Sequence, residues 1–178
     1  MRIFYRAHQF WRTVFLKTDH LDFSTAQDCL APAQWALFSQ LQPAEQAHAL
    51  KMLHTLHKQG EKQPDLLVAA LLHDVGKLRY RLNPVERALV VLAQAIIPHF
   101  VLRWGVIPDD GWEALPGWRK AFVVSEQHAE WGAQLAHKAG VSALAVALIR
   151  QHHQPAFPQA GEMENRLLHA LWVVDNHS

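Results

Sequence analysis

The sequence predicts an all-α fold, and three features of it do so. From Leu66 to Leu72 no side chain is polar, so a helix there is apolar on every face and must be buried on all sides. Helix-start signals recur ahead of apolar stretches at Pro32, Pro43, Pro84 and Ser142. Matching stop signals follow at Gly60, Gly140 and Pro155. A chain of 178 residues, half of them hydrophobic, fits one domain able to bury its own core.

Residues 3 to 16 place Ile3, Phe4, Ala7, Phe10, Trp11, Val14 and Phe15 at helical spacing, with Arg2, Arg6, Arg12 and Lys17 beside the stripe. That pattern suits a helix docked on the domain, and it is also the pattern of a helix lying on a membrane surface. Ser24 with Gln27 resembles a capping box for a short helix. Pro32 suits the first turn of another, carrying Trp35, Leu37 and Phe38.

Pro43 and Glu45 open a helix expected to run to Lys58. It holds three histidines that cannot all face one point. At about 100° per residue, His54 lies some 240° around from His48, and His57 about 180°. Pro64 and Asp65 start the all-apolar helix, which ends at His73-Asp74-Val75-Gly76-Lys77. Gly76 is expected to stop it through a left-handed cap. An imidazole and a carboxylate at the end of a buried helix are costly without partners, and a divalent cation would satisfy both.

Asn83-Pro84-Val85-Glu86 is a well-formed start for a helix that is apolar to Ile97 and should end or kink at Pro98. It is read most simply as a core helix, with an exposed apolar groove or a membrane contact as the alternative. Residues 105 to 118 read as a loop carrying Trp112 and Trp118, packed down rather than covering a site. A helix is expected to begin at His128 and stop at Gly140, leaving His137 facing solvent. Ser142 caps the next, from Ala143 to about His153. The last runs from about Glu162 with Leu167, Leu168, Leu171 and Val174, and carries Asp175 near its end.

Ala69-Ala70-Leu71-Leu72-His73-Asp74-Val75-Gly76-Lys77 resembles the central signature of the HD-domain metal-dependent phosphohydrolases. Ala47-His48-Ala49-Leu50-Lys51-Met52 is similar to the family's first-ligand segment. His128-Ala129-Glu130-Trp131-Gly132 is similar to its His-Pro-Glu-x-Gly motif, with alanine where proline is common. Leu148-Ile149-Arg150-Gln151-His152-His153 and Ala170-Leu171-Trp172-Val173-Val174-Asp175-Asn176 resemble the segments of its next histidine and closing aspartate. The resemblance covers roughly residues 44 to 176 and implies an HD-domain helical bundle over residues 43 to 178; the helical spacing before it makes residues 1 to 42 an expected extension packed on that core. It implies the binuclear branch of the family, with six ligands: His48, His73, Asp74, His128, His152 and Asp175. His48, His73, Asp74 and Asp175 would hold one ion. Asp74 would bridge to a second, completed by His128 and His152.

Four imidazoles and two carboxylates suit Fe, Mn, Co, Ni or Zn better than Ca or a lone Mg. By the resemblance, two ions about 3.5–4 Å apart share a hydroxide that attacks phosphorus in line. The catalytic residues expected are Asp74 and Lys77, with Lys77 clamping phosphate. Arg79, Arg81 and Arg150 stand behind Lys77, and His153 is a substrate contact or spare ligand. The substrate implied is a nucleotide or other small phosphorylated molecule. The ligand order resembles the branch that includes diadenosine tetraphosphate hydrolases. The alternatives are a di-iron oxygenase of the same fold and a metal-binding regulatory module with little turnover.

A formal charge of +1 gives no basic excess for gripping long nucleic acid. The single cysteine, Cys29, cannot close an internal disulfide and is compatible with a reducing cytosol. Nothing at the N-terminus reads as a signal peptide, and the apolar stretch from Ala88 to Leu102 is too short and interrupted for a spanning helix. These features point to a cytoplasmic protein.

Overall fold

The structure is a computed structural model that describes residues 22–109 and 111–177. Among them are nine α-helices, one short 3₁₀ helix and no strand. The expected helix over residues 3 to 16 lies outside the described residues. The helices are α1 (Ser24–Cys29), α2 (Pro32–Phe38), α3 (Pro43–Lys58), α4 (Pro64–Leu72), α5 (Pro84–Ile96), α6 (Pro98–Trp104), α7 (Gly117–Lys138), α8 (Ala143–Gln151) and α9 (Glu162–His177). The 3₁₀ helix, Val75–Arg79, follows α4.

The start signals act as the sequence implies. Prolines occupy the first positions of α2, α3, α4, α5 and α6, where a missing N–H leaves no bond unmade. Asn83 accepts from the Glu86 N–H while the Glu86 carboxylate accepts from the Asn83 N–H, a reciprocal cap at the head of α5. Ser142 accepts from the Ala145 N–H at the head of α8. Gly60 and Gly140 take positive φ just past α3 and α7. The capping box expected at Ser24 does not form. Ser24 is already helical, and Asp22 Oδ1 accepts from both its N–H and its hydroxyl.

α4 is the centre of the bundle. Leu66, Ala69, Ala70, Leu71 and Leu72 are fully buried, with α3, α8, α9 and the α1–α2 pair packed around them. Ala26, Phe38, Met52, Leu56, Leu148, Leu168 and Val174 join the same apolar cluster. Phe23, Trp35 and Phe38 stack edge-on or tilted beside it, so α1 and α2 share the core of the later helices. His54, His57 and His137 are exposed, as the helical wheel requires. No helix among the described residues is long and apolar enough to cross a membrane.

Three elements differ from expectation. α7 does not begin at His128. It starts at Gly117 and carries the fully buried run Ala121, Phe122, Val123 and Val124, so His128 stands mid-helix. Ala129 is therefore interior, where proline would remove a helix hydrogen bond and clash with the preceding turn. α5 is a core helix on one side only: Val90 and Ala93 are buried in a cluster with Phe122, whereas Val85, Leu89, Leu92 and Ile96 are exposed. Of the two loop tryptophans, Trp112 packs on Trp131 with ring centroids 5.0 Å apart, whereas Trp118 opens α7 and is 46% exposed.

Gly76 is required for a reason other than a left-handed cap. Its φ is not positive. It lies against α7 so closely that a Cβ would stand 1.9 Å from the His128 carbonyl oxygen and 2.7 Å from the Gly132 nitrogen, both backbone atoms that cannot turn aside. Gly132 answers it, with a hypothetical Cβ 3.2 Å from the Gly76 nitrogen. Gly76→Ala is expected to lower unfolding free energy by about 2–3 kcal/mol or abolish folding, as overpacking does. Urea titration followed by circular dichroism measures the loss.

Candidate metal centre

Six dispersed side chains meet at the end of α4. His73 is the residue that closes α4, Asp74 follows it, His48 comes from the middle of α3 and His128 from the middle of α7. His152 is the residue that closes α8, and Asp175 lies in the last turn of α9. His48 Nε2 lies 2.9 Å from Asp175 Oδ1, and His73 Nε2 lies 3.7 Å from the same oxygen. Asp74 turns its two oxygens to different histidines. Oδ2 is 3.5 Å from His73 Nε2, and Oδ1 is 3.4 Å from His128 Nε2.

The ligating atoms fall into two groups, each gathered within 4.8 Å: His48, His73 and Asp175 in one, and His128, His152 and His153 in the other. His153 thus sits with the second group, its ring centroid 4.8 Å from that of His128 and 4.0 Å from that of His152. Asp74 stands between the groups. Such a donor set fits divalent transition cations, since imidazole nitrogens and carboxylate oxygens converge on two points.

The tautomers are set by the backbone. His73 Nδ1 is 2.9 Å from the Ala70 carbonyl, His128 Nδ1 is 3.0 Å from those of Val124 and Ser125, and His152 Nδ1 is 2.7 Å from that of Ile149. A carbonyl oxygen only accepts, so each Nδ1 carries the proton and each Nε2 is left with a lone pair directed into the site. His73 Nε2 is buried and has no hydrogen-bond partner in the protein. A buried nitrogen lone pair without a donor is unfavourable, and a cation supplies what it lacks.

Burial sets the charge states. It pushes the His73 and His128 imidazoles down, and it lowers His152 to about 4, so all three are neutral ligands at neutral pH. Burial alone would raise Asp74, but Lys77, His73 and His128 hold it well below the usual carboxylate range. Lys77 Nζ donates to Asp74 Oδ2 at 2.7 Å. Burial would lower the Lys77 ammonium, yet Asp74 and Glu45 raise it, so it stays charged. For Asp175, burial is outweighed by its hydrogen bond to His48 and by the nearby imidazoles, and its pKa falls below the usual range.

A cavity of about 340 Å³ opens over this cluster and is lined by His48, Asp74, Lys77, His128, His152, His153 and Asp175. Leu41, Leu82, Val90, Val91 and Val124 also line it, together with Arg81 and Arg87. Of the basic residues expected to reach substrate, Lys77 and Arg81 line this cavity. Arg79 and Arg150 do not. The Arg79 guanidinium lies 4.9 Å over the Trp131 ring, and Arg150 Nε donates to Glu130 at 2.7 Å on the surface. Sequence reasoning passed over Arg87, which pairs with the buried Glu45 and donates to Gln42 Oε1 at 2.9 Å. Glu45 lies one helical turn before His48 and shares its face, which was the available signal.

Fold and site together define a class: an all-helical bundle whose central helix ends in a His-Asp pair surrounded by imidazoles from three further helices. The HD domain pattern matches residues 46–176, and the chain belongs to the HD domain family. HD domains are in general metal-dependent phosphohydrolases. No curated protein and no solved structure matches the chain.

The depressed His152 pKa gives a pH dependence with a definite sign. Below its ordinary 6.5 the unfolded chain takes up a proton that the folded protein refuses until about 4. Between those values the unfolded state binds more protons, so stability is full above about 6.5 and is lost as pH falls towards 4. Urea midpoints of metal-stripped protein should decline over that window, by about 3 kcal/mol from His152 alone. A flat profile would contradict the burial of this imidazole in neutral form.

Proposed function

We propose that this protein is a metal-dependent phosphohydrolase that cleaves a phosphate ester or anhydride of a small phosphorylated molecule, nucleotides included. One observation carries the reading: Asp74 presents one oxygen to each of two histidine groups, the arrangement a bridging carboxylate needs. His48, His73, Asp74 and Asp175 would hold one cation. Asp74, His128 and His152 would hold the second, and His153 is close enough to complete it. When bound, such cations neutralise phosphoryl oxygens and lower the pKa of water from 15.7 towards about 7.

The chain's own groups supply the rest. The neutral imidazoles keep their lone pairs for cations without releasing protons first. Asp74 stays ionised because Lys77 faces it. Lys77 and Arg81 line the cavity as cations and attract the phosphate end of a substrate, while Arg87 is already held by Glu45 and Gln42. The aliphatic side chains of the lining exclude water around the ester, which strengthens these charge interactions. Residues 43 to 178 form the catalytic unit in this reading, and residues 1 to 42 the extension.

Metal analysis of purified protein joined to a broad phosphatase screen tests the assignment. About two ions of Fe, Mn, Co, Ni or Zn per chain are expected, as in two-metal sites. Asp74→Ala should lose both metal and phosphate release. Activity surviving intact in that variant would end the hydrolase reading, and oxygen consumption without phosphate release would transfer the site to oxidative chemistry. Lys77→Met should reduce kcat/KM by about 10²-fold, the effect of removing one charge-stabilising donor, and metal content should be retained.

A further inference from the structure

Arg87 joins the cavity lining from α5 as a guanidinium that is already fixed in place. Its Nε donates to the Leu82 carbonyl at 3.3 Å and its Nη2 to Gln42 Oε1 at 2.9 Å, while the Glu45 carboxylate pairs with Nη2 from α3. Nη1 has no hydrogen-bond partner among the described residues. Because Arg87 lines the cavity and keeps 20% of its side chain exposed, the two N–H groups of Nη1 are the donors left to an occupant. The planar fork is held through its other two nitrogens, so these donors are oriented before anything binds.

Glu45 decides what such donors suit. It lines the same cavity from α3, one helical turn before His48, and its side chain is only 4% exposed. Its charge offsets that of Arg87, so the pair attracts a phosphate dianion less than a free cation does. Arg81, in the same lining, donates to the Gln40 carbonyl and has no carboxylate partner among the described residues. The anionic end of a substrate is thus drawn to Arg81 and Lys77, and Arg87 keeps direction rather than net charge. Leu41, Leu82, Val90 and Val91 surround the same space with apolar surface. A clasp between α3 and α5 would be the plain structural use of this ion pair. Stability alone does not account for it, because a buried ion pair stabilises a fold no better than apolar side chains of similar volume.

We propose that Arg87 is a specificity-determining residue: Nη1 donates to a neutral acceptor, a carbonyl oxygen or ring nitrogen, on the organic part of the phosphate ester. Glu45 is the positioning residue that holds it there. The inference rests on the phosphohydrolase reading and assigns the part of the substrate that reading left open. A site built to bond such an atom discriminates against esters that lack it, because its own donors are then left unpaired.

The test is kcat/KM of the metal-loaded full chain on methylumbelliferyl and uridine phosphates, which carry ring carbonyls, against naphthyl and butyl phosphates, which do not. Arg87→Lys keeps a cation beside Glu45 and removes the second nitrogen. It should lower the ratio of the two sets at least about 10-fold relative to wild type, as expected for losing one hydrogen bond from a charged donor. Comparing each ester between wild type and variant cancels differences in leaving-group reactivity. Should that variant fold poorly, Glu45→Gln with Arg87→Met removes both charges together and should lower the ratio in the same way. Inhibition by inorganic phosphate, which has no organic part, should weaken far less than the ratio falls. A variant that slows both sets by one factor, as a broken clasp would, overturns the proposal. So does an unchanged ratio, or phosphate inhibition that weakens as much as ester turnover, which would make Arg87 a phosphate clamp. Wild-type protein that releases phosphate from no ester would instead remove the phosphohydrolase reading, and this inference with it.

Discussion

The cost of burying His73 and Asp74 at the end of an apolar helix governs the rest of the structure. Neither group can be desolvated alone without a penalty of several kcal/mol. α4 offers no polar neighbour of its own, because every side chain from Leu66 to Leu72 is apolar. Compensation must therefore be delivered from elsewhere in the chain. Lys77 brings a positive charge to Asp74, Asp175 brings a negative one towards His73, and His128 and His152 close the remaining sides. α3, α7, α8 and α9 are each placed so that one polar side chain reaches this corner while their other faces fill the core.

The close approach that makes this possible is built from missing side chains. α7 runs past the 3₁₀ helix at a distance that only two glycines in register allow, Gly76 on one side and Gly132 on the other. That contact fixes the height of His128 along α7 relative to Asp74. A methyl group at Gly76 would drive α7 and its histidine away from the carboxylate that stands between the two groups, while one at Gly132 would press on the same contact by a few tenths of an ångström.

Much of this was legible in the sequence, and the parts that were not have physical reasons. Helix starts at Pro32, Pro43, Pro84 and Ser142 could be read because the signals are local, a proline or a cap before an apolar run. The six convergent residues could be read because their segments resemble one family's motifs, whereas no spacing along the chain shows which histidines meet in space. Arg79 and Arg150 stand near Lys77 and His152 in sequence, but nearness along the chain does not set the direction of a side chain. A 3₁₀ turn and the last turn of α8 rotate them outward to Trp131 and Glu130 instead. The start of α7 at Gly117 is not legible because no side chain caps it and the apolar run before His128 carries no start signal. α5 is core on one side only, and composition does not show which of its apolar side chains the fold covers.

The imidazole rings of His73, His128 and His152 are oriented by carbonyls three or four residues back in their own helices. Their rotational entropy is thus surrendered when each helix forms, not when a cation arrives. A site assembled in this way is stiff before it is filled. It should discriminate among ions by size and preferred angle more sharply than a flexible loop cage could, because the rings have little latitude to follow an ion of the wrong radius.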